Sequence, residues 1–456
     1  MEALHYADGG PPASAQRLPS QYVEGAVDGW VVATPIHDPS RSMLSHEVVY
    51  AIGGKAGLSG ISGDVGRADR ARSDRTYSWM SEHDAALERG RASIVYGSAV
   101  AAHADLLVTT RPFLMPNSWF RGRGTICSHP QDAIALIGQF LRSRGEFRVR
   151  APVHNRKNAT LVGTGKSTFY WVAARAMLPS GWRWQEECRA YDEMNDHRDI
   201  GTLALSVFQR LSRCLIARDS ARWLDYLNAT RSVIDDLMST LDTVLMNLVG
   251  AYDAVARVSN QLLAIDAPGP RVGWQKEPWL AEARAKVPAL AAIIEPDSPQ
   301  ADLFEVLRRL RNTVHEVPLE PLGPISSSFG GAAERTALRL PRRDARRIAE
   351  ILSRRGWVDS FGLEDWGELG ILVSPIRLME HSIPAAAATL DRMMAVPLSG
   401  HRSSDRPSRP VAFRANPDHE LFSPQTQRDV LMQLGLNDTT LLGECSCRDA
   451  ANIDDA

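Results

Sequence analysis

The residues best suited to chemistry lie close together near residue 310. Arg308, Arg311 and His315 follow one another at steps of three and four, the spacing that stacks side chains along one side of an α-helix. Asn312 sits beside them and Glu316 follows. An Arg next to an imidazole suits phosphodiester cleavage. The guanidinium grips the scissile phosphate at two points and steadies its developing charge, while the imidazole moves the proton of the ribose 2′-hydroxyl or of the leaving oxygen. Ser298 and Pro299 are strong start signals for the helix that carries this set. Its apolar stripe is Leu303, Val306, Leu307, Leu310 and Val314, which leaves Arg308, Arg311 and His315 on the flank. The same residues also fit a structural role, with the Arg tied to a carboxylate and the His at a helix C-terminal end.

The run Leu310-Arg311-Asn312-Thr313-Val314-His315-Glu316, late in an all-helical stretch, resembles the signature of HEPN domains. Many of these are metal-independent ribonucleases of toxin and antiviral defence systems. Their pattern is an Arg, often followed by a polar residue such as Asn, then four to six residues, then His. Here three residues separate Arg311 from His315, one fewer than that pattern. Counting from Arg309 gives five, but Arg309 has no Asn neighbour and projects away from His315 on an ideal helix. The resemblance implies a helical bundle over residues 201–320 and RNA as substrate. Its catalytic set would be Arg311 and His315, assisted by Asn312 and Arg308. It also implies a homodimer in which two motifs share one cleft.

A second resemblance lies nearer the N-terminus. Asp105 precedes the apolar run Leu106-Leu107-Val108; a second apolar run ends at Ser128, and Pro130-Gln131-Asp132 opens a helix. This arrangement is similar to the back half of PIN-like nuclease domains, where an Asp at the position of Asp105 helps to hold a divalent metal. Asp38 and Glu47 are the earlier acids that could join it. No strand-terminal Asp opens the domain, so the acidic set is incomplete. Gly163-Thr164-Gly165-Lys166-Ser167-Thr168 ends like a phosphate-binding loop, but Thr160 stands where that loop needs its first glycine.

The remaining basic residues give one further candidate. Arg343, Arg346, Arg347 and Arg354 cover the outside of a helix whose inner face is Ala345, Ile348, Ile351 and Leu352. As an RNA-binding surface this face would act through phosphates and weaken steeply with salt. The alternative is pairing with Asp344, Glu350 and acids of neighbouring helices. In the same way, Arg183 between Trp182 and Trp184 reads as packing with a cation–π contact rather than as a base-stacking platform.

Elements of two kinds must position these residues. The predicted fold is mainly α: a small N-terminal α/β domain (21–150), a connector (151–200), the helical bundle (201–320) and a helical extension (332–398). Residues 1–20 and 399–456 read as disordered apart from a short helix near Gln425–Leu434. A strand is predicted at Trp30–Ala33, a loop over the glycine-rich run from Gly54 to Gly66, and a helix over Ala85–Val100. The helix opened by Pro130 should present Ile134, Ile137 and Leu141 inward. In the bundle, Ile234, Met238, Leu241, Leu245, Leu248, Tyr252, Val255 and Leu262 keep alternating steps of three and four, broken only at Ser259. That seam starts from a cap near Asp219 or Ser220, is divided at Gly250, and calls for antiparallel neighbours or a second subunit. Pro318 to Gly331 reads as a linker.

Composition sets the outer bounds. With 456 residues, 44% hydrophobic and 23% charged, the chain can bury a sizeable core. A net charge of -2 gives no global attraction for polyanions, so any grip on RNA must be local. Of the 52 basic residues only five are Lys, so nearly every positive charge is a planar fork. Five scattered cysteines without CxxC spacing exclude a disulfide framework and a structural zinc site. With no leader sequence and no run of 18 apolar residues, the expected location is cytoplasmic. The non-enzymatic alternative is a helical RNA-binding or protein-interaction scaffold.

Overall fold

The computed structural model describes residues 130–152, 159–195, 199–226, 230–265, 267–316, 319–326, 334–396 and 423–436, together with strands at 16–17, 29–36, 45–52, 55–62, 106–108 and 126–128. Among the described residues the protein is mainly α, with twelve α-helices. It divides into two compact units, Met1–Ala133 with Ile325–Glu334, and Ile134–Pro324 with Arg335–Ala456.

In the first unit β1 (Gln16–Arg17), β2 (Gly29–Ile36), β3 (Ser45–Ile52) and β4 (Lys55–Ser62) form an antiparallel sheet in that order. β2 extends past Pro35 to Ile36, beyond the predicted strand. The glycine-rich run, expected as a loop, supplies β4 instead: Ile52 pairs with Lys55 and Ser45 with Ser62. Backbone pairing needs no side chains, and Gly53-Gly54 is a pair that tight hairpins favour. β5 (Leu106–Val108) and β6 (Ile126–Ser128) pair in parallel. Asp105, Asp38 and the helix expected over Ala85–Val100 lie outside the described residues. Glu47 lies in β3, opposite Thr34 and Gly60.

The second unit is organised by its longest helices. α1 (Pro130–Ser143) and the hairpin β7 (Phe147–Pro152) and β8 (Ala159–Thr164) lead into α2 (Lys166–Met177) and α3 (Gly181–Asn195). Next come α4 (Asp199–Tyr226) and α5 (Arg231–Leu262). They pack antiparallel: Arg210 lies against Gly250, and the Cys214 thiol reaches the Val244 carbonyl at 3.8 Å. α5 starts at Thr230, whose hydroxyl accepts from the Val233 N–H, and it runs unbroken through Gly250. The cap expected at Asp219 or Ser220 is therefore corrected. Asp219 sits inside α4, where it accepts from Arg142 at 2.5 Å and from the Tyr170 hydroxyl at 2.7 Å.

Every seam residue from Ile234 to Val255 is at most 8% exposed. The neighbours that cover the seam belong to the same chain: α4, α8 (Pro299–Glu316) and α11 (Pro375–Ala395). The seam is thus filled from within and offers no face to a second subunit. One stretch of α4, Asp199–Leu224, is long and apolar enough to cross a membrane, and 56% of its most apolar window is buried inside the unit.

Two short helices, α6 (Glu277–Lys286) and α7 (Pro288–Ala292), follow one another, because Pro288 cannot continue the first and instead opens the second. The presumed linker contributes β9 (Glu320–Ser326). It joins β10 (Glu334–Arg339), β12 (Ile371–Val373) and β11 (Glu364–Asp365) in a sheet ordered β11-β12-β10-β9. The helical extension therefore carries strands beside α9 (Ala345–Arg354) and α10 (Val358–Phe361), and its α11 belongs to the same core as α4 and α5.

α12 (Pro424–Leu434), capped by Ser423, docks through fully buried Val430 and Leu434. In α1 the expected inner face is corrected. Ile134 and Ile137 are 42% and 46% exposed, whereas Ala133, Gln139 and Arg142 are buried. Arg142 must face inward to reach Asp219 and the Gln433 carbonyl.

Candidate functional site

α8 begins as its sequence indicates, with the Ser298 hydroxyl accepting from the Ala301 N–H at 3.1 Å. Leu303, Val306, Leu307 and Leu310 are at most 2% exposed, and Val314 is partly covered. This stripe fixes the rotation of the helix. It leaves Arg308, Arg311 and Asn312 half-buried on the flank and His315 exposed in the last turn.

The Arg311 guanidinium is held from two sides. One Nη donates to the Asn312 side-chain oxygen at 3.2 Å and the other to Asp253 of α5 at 3.3 Å. Side-chain exposures of 26% and 31% make the pair with Asp253 half-buried. One contact of that length between partly solvated groups contributes about 0–1 kcal/mol. Arg311 is therefore oriented without being locked away. Burial pushes the Asp253 carboxyl above its ordinary range, against the pull of Arg311, Arg257 and Arg210.

Arg309 is committed elsewhere. It donates to Glu305 at 2.9 Å and to the buried Asp344 at 2.5 Å. This removes the alternative spacing counted from Arg309.

Most of the arginines on and beside α9 are similarly engaged. Arg347 makes a two-point contact with Glu305, at 3.1 Å on each oxygen, and Arg343 reaches Glu316 and Asp344. Arg354 donates to both oxygens of Asp302 at 2.7 Å and to Asp297 at 3.0 Å, and Arg355 joins at Asp302. Asp302 is 3% exposed, so this pairing ties α9 to the start of α8. Arg346 is exposed, as are Arg343 and Arg354, whereas Arg347 is partly covered.

The structure thus brings Arg308, Arg311, Asn312 and His315 together and assigns Arg343, Arg347 and Arg354 to ion pairs. Sequence reasoning missed Asp253, Arg210 and Arg257. The one local sign of them is Gly250, since a glycine inside a long apolar helix marks a place where something comes close.

The remaining candidates resolve on geometry. β8 ends at Thr164 and α2 starts at Lys166, so the single residue Gly165 leaves no loop to wrap a phosphate. Trp184 is buried, and Trp182 lies under the Arg175 guanidinium at 4.5 Å. Burial raises the thiol pKa of both Cys188 and Cys214, which suits packing rather than nucleophilic attack. Among the described residues no group of three or more His, Cys, Asp or Glu could hold a metal ion. No family model matches the chain, and neither a curated protein nor a solved structure shows significant similarity to it.

Proposed function

We propose that the protein is a cytoplasmic endoribonuclease of the HEPN type, acting through Arg311 and His315. The observation that carries this reading is the contrast at the end of α8. An exposed imidazole follows, one turn later, a guanidinium steadied only by Asn312 and a single long contact to Asp253. In the reaction the ribose 2′-oxygen attacks phosphorus and the bond to the 5′-oxygen breaks, leaving a cyclic phosphate and a 5′-hydroxyl. His315 takes the proton from the 2′-hydroxyl or returns one to the leaving oxygen, while Arg311 meets the charge that builds on the phosphate. Asn312 keeps the guanidinium in place, and Arg308 adds positive charge on the same flank. One imidazole performs one of the two proton transfers, so a second copy of the chain is the proposed source of the other. Because α4, α8 and α11 fill the heptad seam, the dimer would use another face.

The test is cleavage of a mixed-sequence RNA by the wild type and by Arg311→Ala and His315→Ala. His315→Ala is expected to lower the rate by roughly 10²–10⁴-fold, the usual contribution of a positioned acid or base, and Arg311→Ala by roughly 10²–10³-fold, that of a donor to developing charge. Both variants should keep their helical circular dichroism, because both residues flank the apolar stripe. Undiminished cleavage in both would refute the assignment. Activity that survives EDTA fits this pair, whereas complete loss would move it to Asp105.

A second reading, a non-catalytic interaction scaffold, is favoured by one observation. Arg311 and three of the four arginines Arg343, Arg346, Arg347 and Arg354 already have carboxylate partners. It predicts that the wild type cleaves no RNA and that Arg311→Ala alters stability alone.

A further inference from the structure

The flank of α8 that carries Arg311 faces two more arginines whose charge nothing yet described uses. Gly250, Asp253 and Arg257 lie on one side of α5 at steps of three and four. Arg210 comes across from α4 and lays its guanidinium over Gly250. A Cβ at that position would sit 2.7 Å from the Arg210 Cζ, so any other residue would push the guanidinium from where it lies. Arg210, Arg257 and Arg311 all act electrostatically on Asp253.

Three positive charges therefore bear on one carboxylate, which bonds to only one of them, Arg311. Donor capacity is equally unbalanced, since each guanidinium carries five N–H groups and a carboxylate has two oxygens. The Nε atoms of Arg210 and Arg311 are buried without a protein partner, and Asp253 takes a bond from Arg311 only weakly, at 3.3 Å. Unpaired buried donors are costly, and these are the donors that a tetrahedral oxyanion satisfies in pairs. The contrast with Arg343, Arg347 and Arg354 is direct, because each of them is paired with a carboxylate.

We propose that Arg210, Arg257 and Arg311, arranged around Asp253 over the glycine at position 250, form a phosphate-binding site shared by α4, α5 and α8. Asp253 spaces the guanidiniums when the site is empty and yields Arg311 to the ligand when it is filled. The site needs no bond cleavage. Under the reading above it would seat an RNA backbone phosphate one helical turn from His315.

The experiment is titration calorimetry of the full chain with inorganic phosphate at constant ionic strength, repeated in competition with a short mixed-sequence RNA. The wild type is expected to bind phosphate, and Arg210→Gln and Arg257→Gln to lose about tenfold in affinity each, the value of one charge-assisted contact. Gly250→Ala keeps the fold, since alanine is the better helix former. It is expected to lose affinity as well, because the new methyl group displaces the Arg210 guanidinium. RNA that displaces phosphate identifies the ligand as nucleic-acid backbone; phosphate that RNA leaves in place identifies a small phosphate compound. Both outcomes keep the site. A wild type that binds neither overturns it, as do three variants that bind phosphate like the wild type. Affinity is read without turnover, so a chain that binds phosphate but cleaves no RNA retains this site and loses the ribonuclease reading.

Discussion

Glu380→Gln changes one functional group at a point where the second unit depends on its charge. Arg218 lies in α4 with its side chain 1% exposed, and Glu380 of α11 faces it at 26% exposure. Arg218 gives its Nε to Glu380 at 2.9 Å and its Nη1 to the Leu434 carbonyl of α12 at 2.8 Å, and its Nη2 also meets Glu380. Arg222, one turn on, grips the same carboxylate. Burial alone would raise the Glu380 pKa, but the two guanidiniums more than offset it and hold the carboxyl below its ordinary range. Glutamine preserves the shape and removes the charge, leaving Arg218 buried without a counter-ion. Breaking one side of a buried pair costs about 3–5 kcal/mol. At roughly 2–3 °C per kcal/mol for a unit of this size, Tm should fall by about 6–15 °C. The same carboxyl gives the sign of the acid response. Its pKa is lowered on folding, so its stabilisation is complete above the unfolded value of 4.5 and lost as pH falls through the folded one. Thermal unfolding near neutral pH, followed by circular dichroism, measures the effect. A shift under about 2 °C, less than 1 kcal/mol, would show that the pair stabilises no more than a surface contact and would refute the reasoning.

Three further outcomes are expected. His381 is packed against Trp357 and Phe361 at 5.1 and 4.9 Å, and burial lowers its pKa below 6.5. The unfolded chain therefore takes up the proton first and stability falls as pH drops below that value; urea unfolding of His381→Leu should lose part of this dependence. Asp302→Asn leaves Arg354 and Arg355 without their shared buried carboxylate and should cost about 3 kcal/mol in denaturant unfolding. Reversing both Arg343 and Arg347 to Glu sets like charges opposite Glu305 and Glu316, so Tm should fall. Filter binding of RNA at two salt concentrations should change little in the same variant if these guanidiniums keep to their ion pairs with Glu305 and Glu316.

The long helices were readable because burial imposes a period. Steps of three and four from Ile234 to Leu262 are the core of α5, and Ser298 with Pro299 marks the start of α8. Arg311 and His315 could be placed on one flank by the same arithmetic. What lay across the chain could not. Nothing local links Asp253 to Arg311, 58 residues away, or Arg218 to Glu380, 162 residues away. An arginine in a helix reads as surface, yet Arg218 is among the most deeply buried side chains. β4 and β9 were missed for another reason. Glycine- and proline-rich segments carry no alternating pattern, and their pairing is decided by the partner strand. The inner face of α1 misled because a period identifies an apolar stripe without saying whether a polar contact, here Arg142 with Asp219, has claimed the opposite side.

The arginine cluster around α12 also has a consequence for the order in which the protein can be made. Arg142, Arg218 and Arg222 donate to the carbonyls of Gln433 and Leu434, the last residues of that helix. Arg218 is synthesised 216 residues before Leu434. At about 5–20 residues per second, roughly 10–40 s pass before its final partner exists. During that interval the α4–α5 hairpin can form from local contacts, with the Arg218 guanidinium still in water. Closing the core over that charge must wait first for Glu380 and then for α12. α12 therefore acts as a completion signal, and a chain that stalls before it remains an open, hydrated intermediate rather than a smaller version of the folded unit.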